Sequence, residues 1–137
     1  MTVLSSKRRE SETEFIHTAR KLQIFTLRCC KKFPTRYWGY WLAYLIGPAA
    51  SITSNVEHAN SIYPLCQEEV KLRRSFFIKA LGDITNLASQ IEIVYEAETF
   101  QLEARIKTEW IALIDKEERL IKGVMKKDRE RYKNIPD

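Results

Sequence analysis

The chain has few residues that break or staple a fold. Among 137 residues there are four glycines, four prolines and three cysteines. So little Gly and Pro argues against collagen-like or low-complexity chains. The 45% hydrophobic and 30% charged content argues against disorder. An odd number of cysteines, two of them adjacent (Cys29 and Cys30, with Cys66 apart), does not make a disulfide framework. Reduced thiols packed as small apolar side chains are expected. There is no apolar run of the roughly 20 residues that a membrane span needs. The most apolar stretch, 37–50, contains Gly47-Pro48. Residues 1–12 have no apolar core of a secretory leader. These absences lead us to expect a cytoplasmic protein that does not enter a membrane.

Motifs for catalysis are equally scarce. No P-loop, Cys-x-x-Cys or Ser/His/Asp arrangement is present. Glu14-x-x-His17 is one half of a di-metal helical site, but His58 has Asn55 where the second Glu should stand. We therefore expect no catalytic residues, no metal and no cofactor.

What remains is helical periodicity and positive charge. Apolar or small residues Phe15, Ala19, Leu22, Thr26, Cys29 and Phe33 recur at steps of three and four, with Ile24 and Leu27 widening their face. Met1–Arg9 reads as loose, and Ser11-x-x-Glu14 as a capping box. Phe33-Pro34 ends the first helix, because the residue before proline is driven out of helical geometry. Thr35 can cap the second. Its stripe is Trp38, Trp41, Leu45, Ile52, Val56, Ala59 and Tyr63, with Gly47-Pro48 kinking or dividing it. Pro64 marks the next corner. A third stripe runs Val70, Arg74, Phe77, Leu81, Ile84, Ala88, Ile91, Tyr95, and a fourth Leu102, Ile106, Trp110, Leu113, Glu117, Leu120, Val124.

The spacing predicts one all-α domain over residues 1–137, with helices at about 12–32, 35–62, 67–96 and 100–133. Short links between long helices imply an antiparallel up-down-up-down four-helix bundle. Arg74 and Glu117 both interrupt apolar stripes, so we expect a structural ion pair between them, with Glu57 the other candidate for Arg74.

The formal charge is +5 and unevenly spread: residues 1–40 hold nine Lys/Arg against three Asp/Glu, and residues 41–70 hold no Lys or Arg. Arg20, Lys21, Arg28, Lys31, Lys32 and Arg36 lead up to the first corner, and Arg73 stands one step off its stripe. These seven are the candidate nucleic-acid-binding residues; the plainer reading is a solvated charged face. Tyr37, Tyr40 and Tyr44 form a second aromatic face on helix two, suited to a subunit or partner interface.

Four phrases taken together, EFIHTARKLQIFTLRCCKKFPTRYW (14–38), HANSIYP (58–64), KLRRSFFIKALG (71–82) and EWIALIDKEERLIKGVMKKDRERYK (109–133), resemble the four-helix accessory variability proteins of diversity-generating retroelements. More broadly they resemble the four-helix proteins encoded within ribosomal-RNA intervening sequences. The resemblance implies a non-enzymatic basic bundle, assembled as a homopentamer, that binds the element's reverse transcriptase and RNA or DNA during mutagenic copying. Intervening-sequence relatives would leave the role open. No contact residue is taken from the resemblance.

Overall fold

The computed structural model describes residues 3–97 and 102–137; for residues 3–11, 37, 40 and 41 it describes the backbone only. Four helices account for most of these residues: α1 (Val3–Lys31), α2 (Trp38–Ser61), α3 (Gln67–Ala97) and α4 (Ala104–Arg131), with a 3-10 turn at Thr35–Tyr37 before α2. No strand occurs among the described residues. None of these helices is long and apolar enough to cross a membrane. Each helix packs against two others: α1 meets α2 and α4, and α3 meets α2 and α4.

The stripe read for α1 is the one that is buried. Phe15, Ala19, Leu22, Thr26, Cys29 and Phe33 all lie in the core. A 3.6-residue repeat carries positions three and four apart onto one face. Ile24 and Leu27 do not widen that face; they stand on the surface, Ile24 48% exposed. The described helix runs from Val3 through Ser11, so Ser11 stands inside the helix and not at its start, and residues 3–9 are helical.

The α1–α2 corner is built locally. After Lys31 the Lys32 and Phe33 amides donate to the Cys29 and Cys30 carbonyls (3.0 and 3.1 Å), which tightens the last turn. Phe33 then enters the core and Pro34 prevents the helix from continuing. Thr35 makes no cap, since Pro34 holds that position and no side chain caps the turn. Trp38, expected in the core, is 43% exposed, and its indole N–H donates to the Phe33 carbonyl at 3.0 Å. It fastens the corner from outside. Trp41 lies outside the described side chains.

Gly47-Pro48 does not divide α2, which is continuous through it. Leu45, Ala49, Ile52, Val56 and Ala59 are buried along one face on both sides of the proline. Their burial outweighs the roughly 3 kcal/mol that an internal proline costs. Tyr63, also read as core, is 77% exposed, beyond the end of α2.

In α3 the buried seam is Arg73, Phe77, Ala80, Ile84, Leu87, Ile91 and Val94, with Tyr95 beside it. It alternates steps of four and three, as the expected stripe does, but is displaced by one residue over half its length. Arg73 is therefore inside and Arg74 outside. In α4, Trp110, Ile114, Glu117 and Ile121 are buried.

Candidate nucleic-acid interface and the buried charges

Arg28, Lys31, Lys32 and Arg36 are all exposed at or beside the α1–α2 corner. Arg28 and Lys31 occupy the last turn of α1, where cations offset the negative end of the helix dipole. Lys21 is exposed further back on α1. Arg20 is exposed but engaged: its Nη2 lies 2.7 Å from Glu57 Oε1 on α2. Exposed pairs of this kind contribute about 0–1 kcal/mol. Glu57 is thus the partner of Arg20 and not of Arg74.

Lys31 meets an apolar surface. It lines a shallow hollow of about 220 Å³ with Leu27, Cys30, Trp38, Leu42 and Ile46. Positive charge and exposed apolar area share one corner, as the composition of 19–41 suggests. Tyr44 is 55% exposed on α2, while Tyr37 and Tyr40 lie outside the described side chains. Of the three expected interface tyrosines, only Tyr44 is placed on the surface here.

The cysteines near the corner are not reactive. Burial, reinforced by the neighbouring Cys30 thiol and only partly offset by Lys32, pushes Cys29 up to about 12. Burial pushes Cys30 up to about 11. Both stay protonated at neutral pH and are poor nucleophiles. Cys66 is also a free thiol.

Arg73 is a correction. Read as available to phosphate, it is instead the one buried Lys or Arg among the described residues. Its Nε and Nη2 donate to the two carboxylate oxygens of Asp128 (2.6 and 3.3 Å), and its Nη1 donates to the Ala59 and Ile62 carbonyls. The guanidinium also lies 5.2 Å from the centre of the Phe77 ring. It ties the end of α2 and the last turns of α4 to α3 by a fork that a lysine could not make.

The expected Arg74–Glu117 pair does not form. Arg74 faces water, while Glu117 is fully buried and neither of its carboxyl oxygens has a hydrogen-bond partner among the described residues. Burial pushes Glu117 up to about 9, with Lys116 opposing in part, so it is neutral at pH 7. Nearer the α1–α2 corner another buried polar group is satisfied. The Trp110 indole N–H donates to Thr26 Oγ1 at 2.9 Å, and that hydroxyl donates to the Leu22 carbonyl at 2.8 Å.

Glu14 pairs with Lys116 (3.2 Å), and no cluster of three or more His, Cys, Asp or Glu side chains is arranged for a metal among the described residues. No protein-family model matches the chain, nor does any curated protein or solved structure.

Proposed function

We propose that this chain is a non-enzymatic accessory protein of a diversity-generating retroelement. In this reading it works in the cytoplasm, binds the element's reverse transcriptase and template RNA or DNA, and supports mutagenic reverse transcription. The observation that carries the reading is the corner itself: exposed Arg28, Lys31, Lys32 and Arg36 beside the apolar hollow under Trp38. Cations of this kind hold a phosphate backbone irrespective of sequence, and the adjoining apolar surface suits a protein partner. The first of the four phrases that resemble the accessory proteins, 14–38, spans this corner.

The bundle is taken as antiparallel. Cross-helix pairs support this sense: Glu14 and Thr26 on α1 meet Lys116 and Trp110 on α4. Asn55 and His58 on α2 meet Asp83 and Phe76 on α3. Arg73 and Glu92 on α3 meet Asp128 and Lys107 on α4. In each of these three helix pairs the contacting residue numbers rise on one helix as they fall on the other, which supports the antiparallel sense. We further propose a ring-like homopentamer with the Tyr44 face in the subunit interface. A ring repeats the basic corner and multiplies a weak patch into a strong one.

Light scattering of the purified chain tests the assembly: five copies of a 16.1 kDa chain are expected, and a stable monomer at micromolar concentration contradicts it. Co-expression with the reverse transcriptase tests the partner. The enzyme is expected to co-purify with the chain after nuclease treatment, and to be lost when Trp38 and Leu27 are changed together to Ser. Equal recovery with that variant removes the corner from the partner surface.

A further inference from the structure

In the half of the bundle away from the corner, where Glu12, Thr13 and Phe15 of α1 meet the end of α4, a second pocket has no part in the reading above. It measures about 220 Å³ and receives residues from all four helices or their ends, among them Tyr63, Arg73, Lys127, Asp128, Arg131 and Tyr132. It is smaller than the roughly 300–1,000 Å³ of drug-sized sites, so its ligand is small.

Its charge is unbalanced in a specific way. Arg73 and Asp128 neutralise each other by their fork, leaving one N–H of Arg73 Nη2 without an acceptor among the described residues. Lys127 and Arg131 are four residues apart, hence neighbours on α4, and neither forms an ion pair among the described residues. Cations in a last helical turn relieve the dipole. That role does not account for a hollow beside them. Of the two carboxylates that line it, Glu12 is the one with no ion pair among the described residues. It would repel a chain of several phosphates more than a single one.

The walls carry flat apolar surface. Tyr63, just before Pro64, is exposed over about three quarters of its surface (77%), and the Arg131 guanidinium lies 6.0 Å from the centre of the Tyr132 ring. The tail that carries Tyr132 is fastened. The Gln67 side-chain amide donates to the Tyr132 and Ile135 carbonyls (3.1 and 2.8 Å), and its backbone N–H donates to the Pro136 carbonyl at 3.0 Å. The pocket wall is thus ordered before any ligand arrives, which lowers the cost of binding.

We propose that this pocket binds a phosphate monoester carried on a planar ring, with a nucleoside monophosphate as the simplest ligand. Lys127 and Arg131 take the phosphate by charge-assisted hydrogen bonds, and Tyr63 stacks on the ring. The ligand can be a free nucleotide or the 5′-terminal nucleotide of a strand. The site uses none of the corner residues and stands apart from the retroelement reading.

Calorimetric titration of the whole chain with adenosine 5′-monophosphate tests it, with adenosine and inorganic phosphate as partial ligands. Saturable binding of one nucleotide per chain is expected, with each partial ligand at least tenfold weaker. Lys127→Ala with Arg131→Ala, both exposed and so tolerated by the fold, is expected to weaken the mononucleotide at least tenfold. Tyr63→Ala is expected to weaken it severalfold, and Lys31→Ala/Lys32→Ala/Arg36→Ala to leave it unchanged. Displacement of the mononucleotide by a 5′-phosphorylated oligonucleotide, and not by its 5′-hydroxyl form, identifies strand ends as the source; displacement by neither identifies the free nucleotide. Absence of saturable binding up to millimolar mononucleotide, or equal affinity in the Lys127/Arg131 variant, overturns the proposal.

Discussion

The α1–α2 corner and the α2–α3 end around Arg73 treat the same kind of residue in opposite ways. At the α2–α3 end a cation is taken out of water and given four acceptor contacts, on Asp128, Ala59 and Ile62. At the corner Lys31 and Lys32 stay in water beside exposed apolar surface. A buried arginine is committed to the fold, and releasing it would strand Asp128. An exposed lysine costs the fold nothing to lend to a partner. Burial, more than sequence clustering, separates structural charges from available ones. Glu117 sharpens the contrast, since it is buried like Arg73 but its carboxyl has no hydrogen-bond partner among the described residues.

The largest expected effect is therefore at Arg73. Arg73→Ala should destabilise the chain by about 3–5 kcal/mol, because it leaves Asp128 and two carbonyls unpaired. Arg73→Lys should recover only part of this, since an ammonium cannot fork. Urea denaturation measures both. A loss below about 1 kcal/mol for Arg73→Ala would show that the pair is a surface ornament.

Glu117 should respond with the opposite sign. Glu117→Leu removes a desolvated carboxyl and should stabilise by about 1–3 kcal/mol. The pH dependence follows from its shift. Its folded value is raised from 4.5 to about 9, so between these the unfolded chain has released the proton that the folded chain retains. This contribution to stability is fully present below the unfolded value and is lost as pH rises toward and through the folded one. Urea midpoints at pH 5, 7 and 9 should fall along that series for the wild type and stay flatter for Glu117→Gln. Parallel profiles would mean that Glu117 is already solvated.

A smaller loss is expected at Thr26→Val, which keeps shape but leaves the buried Trp110 N–H without its acceptor. About 1–2 kcal/mol fits such an orphaned donor. A change within 0.5 kcal/mol, roughly the size of ordinary surface substitutions, would indicate that the indole finds another partner. The smallest effect on stability belongs to the corner. Lys31→Ala/Lys32→Ala/Arg36→Ala should stay within about 0.5 kcal/mol of wild type and keep its helicity.

The four helices and the first corner were readable because periodicity and Phe33-Pro34 are local signals. The α1 stripe from Phe15 to Phe33 was readable residue by residue. The α3 seam was not. Two registers, one residue apart, both alternate steps of four and three, and only packing against α2 and α4 chooses the one that buries Arg73. Its partner Asp128 lies 55 residues away with no spacing rule to connect them. Trp38 and Tyr63 were misplaced because a stripe extended to helix ends ignores that the core tapers there. Basic clustering marked the corner; nothing in the sequence marked the Gln67 clamp on the tail.

The central claim is that the corner holds nucleic acid by its phosphates, and the salt dependence of RNA binding tests it most directly. Each phosphate contact on a single strand contributes about 0.7 to the slope of log affinity against log salt. Wild type should show a steep slope, and Lys31→Ala/Lys32→Ala/Arg36→Ala a weaker affinity at all salts with a slope shallower by about 2. Two coincident curves from a folded variant of unchanged oligomeric size would show that the corner is a solvated face and that the function lies elsewhere.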